Sequence, residues 1–85
     1  MGPVEQVVKS YILSEYLNGE DPNELTTNTP LITSGVLDSM ATLKLALYLE
    51  EQYSIAVGPQ DMNTERMDTI GRIAELVRSK SDVRS

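Results

Sequence analysis

Asp38 and Ser39 stand together where a long mixed stretch gives way to a strongly apolar one, and no other pair in this sequence is better placed for chemistry. Asp accepts readily from the unpaired amide N–H groups of a first helical turn, so Asp38 is read as an N-cap. Ser39 then falls in that first turn, with its hydroxyl at a solvent-facing helix start. A phosphodiester formed there gains from the free N–H groups and from the positive end of the helix dipole. The plain alternative is a capping pair with no chemistry attached, and the dipeptide alone favours that alternative.

Two missing residue types narrow the chemistry further. The chain has no Cys, hence no disulfide, no thiolate nucleophile and no thiolate metal site. It has no His either, which removes the commonest general base and metal ligand. Neither catalytic residues nor metal ligands are therefore expected, and thiol chemistry would require a prosthetic group. With 85 residues the chain reads as a single domain over 1–85. A domain this small buries only about 60–65% of the surface its unfolded chain exposes, which argues against an active site closed between two lobes.

Charge is unevenly placed along the chain. Residues 1–65 carry two basic and ten acidic side chains, whereas residues 66–85 carry five basic and three acidic, for an overall net charge of −6. An acidic body repels phosphate backbones, so nucleic acid is a poor partner. Such a face can steer basic partner proteins, although composition alone favours the plainer reading of charge for solubility. No apolar run approaches a membrane span, and the N-terminus lacks a charged-then-apolar signal layout. A cytoplasmic monomer with no membrane contact is expected.

The elements that must position Ser39 follow from periodicity. Val4, Val7, Val8, Tyr11 and Ile12 recur at helical spacing, with Pro3 suited to a first turn and Asn18-Gly19 to a stop, predicting a helix over about 3–17. A second, most apolar helix is predicted over 39–53. Ile70, Ile73, Ala74 and Val77 predict another over about 69–79, with Asp68 as its cap and a flexible tail over 80–85. Gly58-Pro59 breaks the chain, and a short turn of helix is predicted over 60–65. The long first loop holds Leu25, Leu31, Ile32, Val36 and Leu37, which are too apolar to hang in water and should pack across the bundle.

The second helix shows two apolar stripes. Thr42, Leu45, Ala46, Leu49 and Tyr53 fall on one arc, and Met40, Leu43 and Leu47 on roughly the opposite one. The second stripe is interrupted by Lys44 and Glu51, so it is assigned to the outside. Met40, Leu43, Lys44, Leu47 and Glu51 then form a partner-docking face beside Ser39. The alternative is that Leu31 or Ile32 of the loop covers it.

The stretch Leu31-Ile32-Thr33-Ser34-Gly35-Val36-Leu37-Asp38-Ser39-Met40, followed by Leu43, Leu45, Leu47, Leu49-Glu50-Glu51 and Tyr53-Ser54-Ile55, closely resembles the acyl carrier and peptidyl carrier family. That family is marked by a Gly shortly before Asp-Ser-Leu, then an apolar helix ending in Leu-Glu-Glu-x-aromatic-x-Ile. The resemblance extends more weakly over about residues 4–78, including Asp61 and the run Gly71-Arg72-Ile73-Ala74-Glu75-Leu76-Val77. It implies an all-α fold, a small four-helix bundle with a long first loop. It also implies a 4'-phosphopantetheine arm on Ser39, attached from coenzyme A by a phosphopantetheinyl transferase with magnesium. Asp38 would be the flanking carboxylate that helps the transferase engage. Acyl, aminoacyl or polyketide-type cargo would ride as a thioester, loaded by an adenylating ligase or an acyltransferase and passed to downstream biosynthetic enzymes. The carrier itself would catalyse nothing.

One departure bears on the pathway. Carriers of primary fatty acid synthesis usually show acidic residues in the first turns of this helix, where this chain has Ala41 and Lys44. That favours a stand-alone carrier in a dedicated pathway over one of general fatty acid synthesis. A reading of another class is an unmodified helical adaptor that keeps the fold only for binding.

Overall fold

The computed structural model describes residues 2–17, 19 and 21–82, and among these it contains helices and turns but no strand. Four helices follow in order: α1 Pro3–Glu15, α2 Ser39–Tyr53, α3 Thr64–Met67 and α4 Ile70–Asp82. Single 3₁₀ turns at Pro22–Glu24 and Pro59–Asp61 punctuate the two longer connections. The expected all-α bundle with a long first loop is the fold observed.

Helix α4 is the hub, packed by α1, α2 and α3. Its Ile70, Ile73, Ala74, Leu76 and Val77 are all buried. Leu76 joins the expected set because neighbours on several sides widen the buried arc beyond a single stripe. Opposite them lie Val8 and Ile12 of α1 and Leu45, Ala46 and Leu49 of α2. Arg78 of α4 reaches Glu5 of α1 with bonds of 2.7 and 2.9 Å to the two carboxylate oxygens. The long loop contributes to the same core through Leu25, Leu31 and Leu37, while Ile32 and Val36 are half-buried against it.

Several boundaries differ from the sequence expectation. Helix α1 stops at Glu15 rather than near 17, where the Tyr16 and Leu17 amides both turn back to the Ile12 carbonyl. Of the expected Asn18-Gly19 stop, Asn18 lies outside the described residues. The single short turn expected over 60–65 is two elements. Gly58 and Pro59 open the first, and Asn63 caps the second by accepting from the Arg66 amide at 3.0 Å. Helix α4 runs past 79 to Asp82, so residues 80–82 are helix and not tail; 83–85 lie outside the described residues. Within the extension the Lys80 ammonium sits 2.9 Å from the carboxylate of the buried Asp61.

Asp68 does not cap α4. Thr69 does, its hydroxyl accepting from the Arg72 amide at 3.1 Å. The Asp68 carboxylate turns instead to the long loop, where it accepts from the amides of Leu31, Ile32 and Thr33. A loop segment whose Ile32 and Thr33 amides have no backbone partner outcompetes a helix start that a neighbouring hydroxyl already serves.

Candidate prosthetic-group attachment site

Ser39 is the first residue of α2, and its position is set from both sides. Asp38 is extended, and its Oδ1 accepts from the Ala41 amide at 2.8 Å, as an N-cap should. Its carbonyl accepts from the Thr42 amide and from the Thr42 hydroxyl, each at 2.8 Å. That second bond satisfies the only polar atom of a side chain that is otherwise in the core. Upstream, the Leu37 amide donates to the Leu31 carbonyl at 3.0 Å, and the Leu37 side chain is buried. Between them Gly35 has φ +89°, a left-handed conformation that a side chain would strain. The loop therefore folds back on itself and delivers Asp38 to the head of α2 with Ser39 exposed.

The two stripes of α2 separate as their spacing indicates. Ala41, Thr42, Leu45, Ala46 and Leu49 are buried. On the other side Met40 is 63% exposed, Leu43 42% and Leu47 53%, the large apolar side chains of the described residues that remain in solvent. Lys44 and Glu51 are exposed with them, so the structure places all five residues of the expected docking face on one side of α2. The loop does not cover them: Leu31 is in the core and Ile32 is half-buried against it. Ala41 is buried, so of the two departures noted in the first turns only Lys44 alters the charge a visitor would meet.

An open cleft of about 910 Å³ borders Ser39. Ile32 and Leu37 form its loop side, Thr42 and Leu43 its α2 side, and Met62, Asn63 and Thr64 its far wall. The far wall was not legible in the sequence. Met62 and Asn63 lie in a connection with no periodicity, and their approach to Ser39 depends on how α3 docks. A Ser hydroxyl beside unpaired first-turn amides, with an apolar cleft alongside, fits a phosphodiester with a long flexible substituent. Ser39 would hold the phosphate, and Ile32, Leu43 and Met62 would offer the arm a surface to lie on. Ser34 offers no comparable site, because its hydroxyl is engaged with the Pro30 and Leu31 carbonyls at 2.7 and 3.3 Å. Among the described residues no group of His, Cys, Asp or Glu could hold a metal ion, and no helix is long and apolar enough to cross a membrane.

Comparison with known proteins agrees with this geometry. Residues 12–77 match the family model described as the phosphopantetheine attachment site. The D-alanyl carrier protein of Lactococcus lactis subsp. cremoris is 32% identical over 68 residues, covering 80% of this chain and 86% of that protein. The acyl carrier protein of Desulforapulum autotrophicum is 32% identical over 78 residues, covering 92% of this chain and 97% of the relative. The solution structure of a holo acyl carrier protein from Nitrosomonas europaea superposes with a TM-score of 0.73 at 29% identity, covering 95% of this chain and 99% of that one. With the family model spanning most of the sequence and the bundle superposing on a holo carrier, this chain belongs to the phosphopantetheine attachment-site family and is a carrier protein of 4'-phosphopantetheine-bound intermediates.

Proposed function

We propose that Ser39 is the attachment residue and that the chain works as a stand-alone carrier in a dedicated biosynthetic pathway. The observation that carries this is the placement of one exposed hydroxyl at the first turn of α2, behind an intact Asp38 cap and beside an open cleft. Ser39 supplies the oxygen of the phosphodiester, and the first-turn amides lie next to the charge it brings. When bound, the group supplies a terminal thiol on which cargo is held as a thioester. The rest of this chain positions that serine and presents a docking face. Carrier proteins are generally not catalytic, and we assign no catalytic residue here.

The partners proposed are a phosphopantetheinyl transferase that engages Asp38 and the apolar face of α2, then an adenylating ligase or an acyltransferase, then downstream enzymes. Since the arm comes from coenzyme A, the cytoplasm is the proposed site of modification. Likeness to D-alanyl carrier proteins and the exposed Lys44 favour an aminoacyl or other small activated acid over general fatty acid synthesis. Likeness to an acyl carrier protein keeps the fatty acid reading as the second one.

Incubation with a broad-specificity transferase, magnesium and coenzyme A, followed by intact-mass measurement, should add one phosphopantetheine to the wild type and none to Ser39→Ala. Addition that persists in Ser39→Ala would overturn the assignment. Absence of addition to the wild type would favour the unmodified adaptor. Offering the holo protein to adenylating ligases with amino acids and with fatty acids then separates the two pathway readings.

A further inference from the structure

The Asp68 carboxylate is the most heavily bonded side chain outside the helix caps, and nothing in the attachment chemistry itself calls for it. Its Oδ1 accepts from the Leu31, Ile32 and Thr33 amides at 3.2, 2.9 and 2.9 Å. Its Oδ2 accepts from the Thr33 hydroxyl at 2.8 Å. The Asp68 carbonyl also accepts from the Leu31 amide, at 2.6 Å. One residue at the α3–α4 junction thus ties down a loop segment 35 to 37 positions away in sequence. The Thr33 amide, ahead of its hydroxyl and of the Ile32 and Leu31 amides, holds the Asp68 carboxyl below its ordinary value despite some loss of hydration.

What the clasp holds leads directly to Ser39. Leu31 receives the Leu37 amide at 3.0 Å, and Leu37 is joined to Asp38, the cap that fixes Ser39. Ile32, the middle residue of the clasp, is also a wall of the cleft beside Ser39. A second tie lies alongside. The Gly71 amide donates to the Thr27 carbonyl at 3.1 Å, and a Cβ on Gly71 would come within 3.3 Å of that oxygen. The far half of the loop therefore rests on the α3–α4 junction, held by the Asp68 carboxylate together with the two backbone bonds and the burial of Leu31 and Leu37.

We propose that Asp68 is a positioning residue for modification of Ser39, clasping residues 31–33 so that the loop presents Asp38 and Ser39 to the transferase in one fixed arrangement. The inference rests on the assignment of Ser39 as the attachment residue. Losing the clasp leaves the bundle folded and lowers the fraction of molecules whose loop is docked. A partner that binds only the docked state then sees a higher apparent KM, with the chemical step unchanged.

The test compares wild type, Asp68→Ala, Asp68→Asn, Thr33→Val and Val77→Ala, each confirmed folded by circular dichroism. The assay measures kcat and KM for modification by a broad-specificity transferase with coenzyme A and magnesium, together with amide exchange at residues 31–33. Asp68→Ala should raise KM about tenfold, with kcat nearly unchanged and faster exchange at those amides. Asp68→Asn keeps an oxygen that can accept from the three amides and should stay near wild type. Thr33→Val removes only the hydroxyl donor and should raise KM about threefold, the weight of one hydrogen bond. This variant decides the matter if Asp68→Ala fails to fold. Val77→Ala, which weakens the core about two turns along α4 from the clasp, should leave KM unaltered. Unchanged KM in both Asp68→Ala and Thr33→Val, or a rise in Val77→Ala equal to that in Asp68→Ala, would overturn the proposal. So would an Asp68→Asn as impaired as Asp68→Ala, since the transferase would then be reading the charge. A wild type left unmodified overturns the Ser39 assignment, and this inference with it.

Discussion

Leu47 and Leu49 are the same residue two positions apart on α2, one 53% exposed and the other fully buried. Truncating each to Ala makes one chemical change in two environments. Leu49→Ala empties a place in the buried core that α2 shares with α1 and α4 and should cost about 2–5 kcal/mol, transfer and cavity terms together. A chain of this size has about 4–13 kcal/mol in all, so the variant should show a large fall in urea midpoint. Fully burying a Leu is worth about 1.5–3 kcal/mol, and Leu47 realises roughly half of that at most. The better helix propensity of Ala returns a few tenths of a kcal/mol, so Leu47→Ala should cost about 1 kcal/mol or less. Its effect should appear elsewhere. Removing an apolar anchor from a docking face commonly costs about 1–2 kcal/mol of binding, or roughly a five- to thirtyfold loss in kcat/KM for modification and loading. Urea melts of the two variants, paired with transferase and ligase assays at concentrations where both are folded, read the two effects separately. If Leu47→Ala unfolds as early as Leu49→Ala, the outer stripe is core. If it is stable and loads at the wild-type rate, the stripe is exposed but is not the docking face, and the reasoning from exposure to partner fails.

Two further predictions follow from the cap and from the Asp61–Lys80 pair. Asp38→Ala should lower stability by about 0.5–2 kcal/mol through loss of the bond to the Ala41 amide. Asp38→Asn caps nearly as well and should keep that stability while slowing modification, so equal modification rates for Asn and wild type would reduce Asp38 to a cap. The Lys80 ammonium beside Asp61, aided by the Gly58 amide and opposed by burial, holds the Asp61 carboxyl below the usual carboxylate range. A lowered folded-state value contributes stability that is present above the unfolded value, about pH 4, and lost as the pH falls through the folded one. Lys80→Ala should therefore lower the melting temperature at neutral pH, and the gap to wild type should close below about pH 4. A gap that stays constant down to acid pH would mean the pair adds nothing through ionisation.

The sequence by itself determined whatever depends on neighbours along the chain. The start of α2 at Ser39 and its end at Tyr53 were legible because an N-cap and a helical apolar period act within a few residues. The exposure of Met40, Leu43 and Leu47 followed from the same angles, once Lys44 and Glu51 showed which side must face water. The core role of Leu25, Leu31 and Leu37 was legible too, since large apolar groups must be buried whatever path the loop takes. Only the tertiary structure decided where long-range polar partners fall. Asp68 has the sequence context of a cap, yet the amides of residues 31–33 claim it because packing brings them to the α3–α4 junction. Asp61 and Lys80 meet because the turn at Pro59–Asp61 docks beside the last turns of α4. The wall of Met62, Asn63 and Thr64 facing Ser39 arises the same way. Hydrogen bonds and ion pairs need contact geometry, and residues this far apart in sequence acquire it only when the core that joins them has formed.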